Sequence, residues 1–246
     1  MKKIIIAFLL AVLPGLTMAA GGKVHYDSAN IDLTDNASLQ RGAKLFVNYC
    51  LNCHSAKYMR YNRMGEDLGM SDKLVKENLM FAADKVGEQM TISMKTADAK
   101  KWFGTNPPDL SVIARAKGAG SKGADWLYTY FRSFYIDETR PFGMNNTVFK
   151  DVGMPHVMWE LQGEQKLVNP DYADKEVSPQ FELVTPGTMS TEEYDQAARD
   201  LTNFLVYMGE PSQLKRKALG KWVLLFLVLL FFVSYAMKKE YWKDIH

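Results

Sequence analysis

The chain has 246 residues, a formal net charge of +2 and 47% hydrophobic residues, so it is long and apolar enough to bury a core. Two cysteines exclude a disulfide-rich scaffold, and the sequence contains no internal repeat. Residues 20–214 hold 21 basic and 26 acidic residues, a charge of about −5 that argues against nucleic acid as a partner.

The first twenty residues have the layout of a secretory signal. Lys2 and Lys3 precede an apolar run at residues 4–13, and Ala19 and Ala20 supply the small residues expected before a cleavage site. The apolar run is shorter than the roughly 20 residues that a transmembrane helix needs. We therefore predict that residues 1–20 are a signal peptide and that residues 21–214 form a periplasmic domain.

Helices are predicted at both ends of this domain. Apolar residues recur at spacings of four, three and four from Leu39 to Cys50, so one amphipathic helix runs directly into the cysteines. Ser190 and Glu193 form a capping box before a second helix that Gly209 and Pro211 end. The apolar stripe of this second helix comprises Tyr194, Ala197, Leu201, Leu205 and Met208.

Further helices are predicted at residues 71–81 and 124–135. The remaining chain is rich in loops and lacks an alternating strand pattern, so the fold class is mainly α with long loops. So much irregular chain around few helices indicates that something other than protein fills part of the core.

One C-terminal membrane anchor is predicted. Residues 222–237 carry no charge and are apolar on every face, unlike a buried core helix, and basic clusters flank them. The clusters suit anionic lipid headgroups, but they do not decide the orientation because both sides are basic. The signal peptide decides it: residues 215–239 form the anchor of a single-pass protein of the bacterial inner membrane, and residues 240–246 form a cytoplasmic tail.

The two cysteines belong to the motif Cys50-x-x-Cys53-His54. A thioredoxin-like disulfide would require a βαβ pattern around it, which is missing from the sequence. A zinc site would require two more ligands, and the remaining histidines are scattered at positions 25, 156 and 246. Covalent haem attachment uses all three residues, with two thioether bonds and His54 as an iron ligand. The motif therefore predicts haem c.

A methionine is the expected second axial ligand of an electron carrier. The chain has 14 methionines, and Met154 is distinguished by its position between Gly153 and Pro155, which lets the backbone approach a flat ring. The residues themselves favour Met154 and leave Met144 and Met158 open. An open face would instead suit oxygen or peroxide chemistry.

Five segments in the same order resemble the cytochrome c1 family, the haem subunit of ubiquinol–cytochrome c reductase (the cytochrome bc1 complex). They are "CLNCHS", "PPDLSVIARAK", "VGMPHVMWELQG", "MSTEEYDQAARDLTNFLVYMGEP" and "VSYAMKKEYWKDIH". The similarity covers nearly the whole mature chain, including the anchor. The attachment motif alone is shared by all c-type cytochromes, whereas its combination with "PPDLS" and one tail anchor is far more specific.

The resemblance implies a role for each motif residue. Cys50 and Cys53 would form the thioether bonds, and His54 and Met154 would be the proximal and distal iron ligands. Two prolines, Pro107 and Pro108, would lie along the haem.

The family commonly has two basic residues after "PPDLS", of which the second is an arginine that contacts a haem propionate. In this sequence the two residues are Arg115 and Lys117, so which of them reaches the propionate stays open. Trp126 stands where the family has a tyrosine. It starts a stripe with Tyr130 and Phe134 that is more typical of a core than of a cofactor wall, but Trp126 itself can serve both purposes and is a candidate cofactor-binding residue.

The expected protein is a mainly α c-type cytochrome domain with long loops and one C-terminal transmembrane helix, carrying one covalent haem c. The resemblance implies electron transfer from a Rieske iron–sulfur protein to a soluble cytochrome c, in a dimeric complex with cytochrome b, with no substrate site in this chain. The alternatives are an open-site haem enzyme, such as a peroxidase or a nitrite-reducing subunit, and an anchored cytochrome c subunit of a terminal oxidase.

Overall fold

The computed structural model describes residues 26–173 and 177–244, and the predicted signal peptide lies outside these ranges. The described helices are α1 (Asn36–Leu45), α2 (Tyr61–Asp67), α3 (Asp72–Asn78), α4 (Thr96–Phe103), α5 (Ile113–Lys117), α6 (Lys122–Arg132), α7 (Trp159–Gln162), α8 (Thr191–Gly209) and α9 (Gln213–Tyr241), with a π-helical turn at Phe46–Cys50. The strands are β1 (Ala56–Arg60), β2 (Gln89–Met90), β3 (Phe134–Ile136), β4 (Met144–Asn146), β5 (Gly163–Leu167) and β6 (Phe181–Pro186). The mainly α fold class is confirmed.

Helices α1 and α8 cross at close range and form the centre of the domain. A Cβ at Gly42 would lie 2.1 Å from the carbonyl oxygen of Asp200, so glycine is required at this crossing. One turn further along, the rings of Phe46 and Phe204 pack 5.5 Å apart. This crossing fixes the end of α1, from which the two cysteines follow.

A buried carboxylate joins the same two helices. Asp200 is 2% exposed and accepts hydrogen bonds from the Ser38 hydroxyl (2.7 Å), the Arg41 guanidinium (2.6 and 3.0 Å) and the Gln196 amide (2.9 Å). A buried charge is tolerated when it is paired and hydrogen-bonded in this way. The network therefore holds α1 in one register on α8.

The capping box predicted for the last helix of the domain is present. The Ser190 backbone N–H donates to the Glu193 carboxylate (2.8 Å), and the Glu193 N–H donates to the Ser190 hydroxyl (3.3 Å). The apolar stripe predicted from the sequence faces the core, and all five of its residues are buried: Tyr194, Ala197, Leu201, Leu205 and Met208.

The helix predicted at residues 124–135 is wrong at its C-terminal end, because α6 ends at Arg132. The Asn146 side-chain amide donates to the Tyr130 carbonyl (2.8 Å) and occupies one acceptor of the last turn. The chain then enters β3, where Phe134 pairs with Asn146 on the antiparallel strand β4. The helix predicted at residues 71–81 is likewise shorter, since α3 covers Asp72–Asn78.

The described part of the chain contains three two-stranded antiparallel sheets, β1–β2, β3–β4 and β5–β6, where the sequence predicted loops or, for β3, the end of a helix. Their strands have two to six residues, and none shows the strict alternation of apolar and polar residues that indicates a strand. The sheets fold the long connections back onto the helices and place the loop after β4 against α6.

Helix α9 contains 29 residues and is about 44 Å long. None of its residues is buried. By length and composition it can cross a membrane, and it is the one such helix in the described part of the chain. Its bounds include the anchor predicted at residues 215–239.

Candidate functional site

The π-helical turn at Phe46–Cys50 places the first cysteine at the edge of the core. The Leu51 N–H donates to the Phe46 carbonyl (2.9 Å), and the next turn is closed by bonds from the Cys53 and His54 N–H groups to the Cys50 carbonyl (3.1 and 2.9 Å). Single π-helical turns of this kind within α-helices are frequently found at functional sites. The tight turn brings both cysteines and the histidine together on one side of the chain.

Cys50 and Cys53 are not joined to each other by a disulfide. Cys50 is buried, and burial together with the neighbouring Cys53 raises the pKa of its thiol to about 12. Cys53 is half-buried, and burial raises the pKa of its thiol as well. Neither environment produces the stabilised thiolate of a redox-catalytic cysteine. The raised pKa values therefore argue against a role in thiol–disulfide exchange.

The imidazole of His54 is held by one backbone group. Its Nδ1 lies 2.7 Å from the carbonyl oxygen of Pro108, so Nδ1 carries the proton and Nε2 keeps its lone pair. Burial lowers the pKa of His54, although the Pro108 bond and Asp109 oppose this effect. A neutral imidazole with a free Nε2 and an orienting hydrogen bond is the form that binds iron.

These residues open into an apolar cavity of about 370 Å³. The size and apolar lining are those of a cofactor site. The lining comes from five separate stretches of the chain: Tyr49, Cys50, Cys53, His54, Phe103, Thr105, Asn106, Pro107, Pro108, Leu110, Ile113, Lys117, Trp126, Leu127, Tyr130, Phe131, Phe149, Val152, Gly153, Met154, Pro155, Val157 and Leu205.

Among the three candidate methionines, Met154 lines the cavity. Within the described chain the lining includes neither Met144, which lies on β4, nor Met158, which is 2% exposed in the core. The Met154 sulfur accepts a hydrogen bond from the Tyr130 hydroxyl at 3.3 Å. The geometry thus separates the candidates that the residues alone left open.

The two basic residues after "PPDLS" point to different neighbours. Lys117 lines the cavity, and its Nζ lies 4.1 Å from the centre of the Trp126 ring and 5.3 Å from that of Phe149. Arg115 has a side chain that is 63% exposed and lies 3.5 Å from the Glu210 carboxylate, at the end of α8. Only Lys117 of this pair is among the cavity residues of the described chain.

The aromatic stripe on α6 divides between cavity and core. Trp126 and Tyr130 stack with centroids 4.9 Å apart and both line the cavity, so this part of the expected core is cofactor wall. Phe134 lies beyond the helix end and stacks on His156 at 4.8 Å. Burial lowers the pKa of His156 to about 4, so this imidazole is neutral.

Several apolar residues that line the cavity, and one polar contact inside it, were not identified from the sequence. Phe131, Phe149 and Leu205 line the cavity, and the hydroxyl of Tyr130 reaches Met154. The helical spacing of Tyr130 to Trp126 was a usable signal, since residues four apart share a face. The distant Leu205 had no comparable signal.

Two thiols three residues apart, an imidazole with a free Nε2, a thioether and apolar walls fit a covalently attached haem. Fold and site together define a c-type cytochrome. The family model described as "Cytochrome C1 family" matches residues 27–245, and the chain belongs to this family. Proteins of the family carry covalently bound haem c, which confirms the cofactor predicted from the motif.

Curated relatives match over most of their length. Cytochrome c1 of Allochromatium vinosum is 50% identical, with 100% of each chain covered. The ammonia monooxygenase gamma subunit of Nitrosomonas europaea is 46% identical over 100% of this chain and 98% of that protein. Cytochrome c1 of Rhodospirillum rubrum is 26% identical over 95% of this chain and 96% of that protein. The resemblance inferred from the five sequence segments is thereby confirmed.

Proposed function

We propose that this chain is the haem c subunit of a ubiquinol–cytochrome c reductase, where it lies beside cytochrome b, accepts electrons from a Rieske iron–sulfur protein and passes them to a soluble cytochrome c. The observation that carries the proposal is the placement of His54 and Met154 in one apolar cavity with the two cysteines. When bound, haem c supplies a one-electron couple. Family membership supports the place in the cytochrome bc1 complex.

The residues around the cavity have separate tasks in this proposal. Cys50 and Cys53 form the thioether bonds, and the Pro108 carbonyl keeps the His54 Nε2 aimed into the cavity. Lys117, rather than Arg115, pairs with a propionate, because Lys117 lines the cavity and Arg115 does not. Trp126 holds the Lys117 ammonium over its ring and so places that charge at the cavity.

A carrier is favoured over a haem enzyme because the protein offers a second axial donor. Met154 would close the face that an oxygen- or peroxide-reactive site needs open. Pro107 and the aromatic rings of α6 give the cavity apolar walls. An apolar site reduces the reorganisation that accompanies one-electron transfer.

The name of the Nitrosomonas relative supports a second candidate, a place beside an ammonia monooxygenase. Detergent purification of the full chain through a tag after His246 distinguishes the two. We expect cytochrome b and a Rieske protein to copurify, and ubiquinol to reduce the haem in the purified complex. Copurification of monooxygenase or terminal-oxidase subunits, without cytochrome b, would contradict the proposal. Untagged cells provide the control.

We further propose that the domain formed by residues 21–214 lies in the periplasm of a bacterium. Helix α9 would cross the inner membrane, and the tail at residues 240–246 would lie in the cytoplasm. The helix itself supports an anchor, and the predicted signal peptide supports the direction. A reporter enzyme that folds only after export should be active when fused after Leu214 and inactive when fused after His246. Activity of the second fusion would show that the tail lies outside.

A further inference from the structure

We propose that Tyr130 is a positioning residue that sets the reduction potential by donating a hydrogen bond to the sulfur of Met154. The inference rests on the proposed function, in which Met154 is an axial ligand. It assigns to Tyr130 of α6 a role beyond lining the cavity.

The contact between the two side chains is direct and buried. The Tyr130 Oη lies 3.3 Å from the Met154 Sδ, within hydrogen-bond distance for a sulfur acceptor. Tyr130 is 7% exposed, so water does not compete freely for this hydroxyl. Sulfur is a weak acceptor, which makes a preorganised and dry donor more important here than at an oxygen.

Three aromatic neighbours fix the ring of Tyr130. It stacks on Trp126 at 4.9 Å and meets Phe131 and Phe134 edge-on at 5.8 and 5.1 Å. Its backbone carbonyl is fixed as well, by the bond from the Asn146 amide (2.8 Å). A ring packed on three sides keeps the hydroxyl directed at the Met154 sulfur. A contact that is held in this way can change the reduction potential, whereas a transient contact would not.

The consequence follows from the electronic structure of a thioether. In the proposed site, one sulfur lone pair would be available to the iron and the other would accept the hydrogen bond from Tyr130. The hydrogen bond would withdraw electron density from sulfur, and this would weaken donation to ferric iron more than to ferrous iron, because the more highly charged ion depends more on donation. Tyr130 therefore favours the ferrous state and also fixes which lone pair faces the cavity.

The test compares three variants of the full haem-loaded chain in detergent. Tyr130→Phe removes the hydroxyl and keeps the ring. Tyr128→Phe is the matched control: Tyr128 is also buried on α6, but its hydroxyl accepts a bond from Arg199 (3.2 Å) rather than contacting Met154. Met154→Leu reports independently on the ligand assignment. For each, the midpoint potential, the far-red sulfur-to-iron charge-transfer band and the melting temperature are measured.

For Tyr130→Phe we expect a lower midpoint potential, with a change of up to about tenfold in the one-electron equilibrium constant, or about 59 mV. The charge-transfer band should shift while the iron stays low-spin. Tyr128→Phe should change the melting temperature and leave both the potential and the band in place.

The outcomes separate this inference from the proposed function. If Met154→Leu abolishes the band while Tyr130→Phe changes neither band nor potential, the role of Tyr130 is wrong and the ligand assignment stands. If Met154→Leu leaves the band unchanged, the ligand assignment fails and the inference fails with it. Equal shifts in Tyr130→Phe and Tyr128→Phe would identify a general packing effect and would also overturn the inference.

Discussion

Replacing Cys50 and Cys53 together by serine should leave little folded protein in the membrane. Without covalent attachment the variant must maintain an apolar cavity of about 370 Å³ that no side chain fills. At about 24 cal/mol per Å³, this corresponds to roughly 9 kcal/mol as an upper bound, since the site can partly collapse. Domain stabilities are about 5–15 kcal/mol, so a cost of this order is comparable to the whole stability of the domain.

The measurement is the steady-state amount of the chain in membranes, by immunoblot, together with its resistance to a limiting dose of protease. The single variants Cys50→Ser and Cys53→Ser each keep one thioether bond and should accumulate to intermediate levels. A double variant that accumulated without haem and still resisted protease would show that the domain of residues 21–214 folds independently of its cofactor.

The parts of the fold that were predictable from the sequence depend on local signals. The capping box of Ser190 and Glu193 and the stripe on α8 are set by neighbours three and four residues apart, and the structure contains both. The apolar run of α9 is equally local. The attachment motif is contained in five residues, so its chemistry could be inferred without knowing the fold.

The features that the sequence did not reveal depend on distant partners. Residues at the end of the predicted helix 124–135 form β3 because they pair with Met144–Asn146, a strand too short to produce a pattern of its own. Arg115 lies near Glu210, ninety-five positions further along the chain, whereas Lys117 lines the cavity beside Trp126 and Phe149. Neither contact leaves a trace in the spacing of nearby residues.

The choice among the candidate axial methionines also depends partly on local sequence and partly on distant contacts. Glycine and proline around Met154 were a local indication, but Met144 and Met158 lay close enough in the sequence to remain candidates. The cavity favours Met154, because it brings this residue together with residues from α5, α6 and α8. The attachment motif is therefore evident in the sequence, whereas the support for one methionine over the others comes mainly from the tertiary fold.

Met154→Leu should therefore have the largest effect on function of any single substitution in the loop after β4. Leucine keeps the volume but removes the sulfur donor, so the iron should become partly high-spin and reactive towards carbon monoxide, whereas the unaltered protein should be low-spin and unreactive. The midpoint potential should fall, because the thioether favours ferrous iron. Each 59 mV of decrease makes electron transfer from an iron–sulfur donor about tenfold less favourable.

The matched controls are Met144→Leu and Met158→Leu, which remove a thioether of the same size from β4 and from the buried core. Both should leave the spin state and the potential nearly unchanged, although Met158→Leu can lower the melting temperature because it alters a packed site. If Met158→Leu opened the iron and Met154→Leu did not, the ligand would be misassigned, and electron transfer would remain the function. If the unaltered protein bound carbon monoxide readily, the second axial position would be open, and a haem enzyme would be the better explanation of the site.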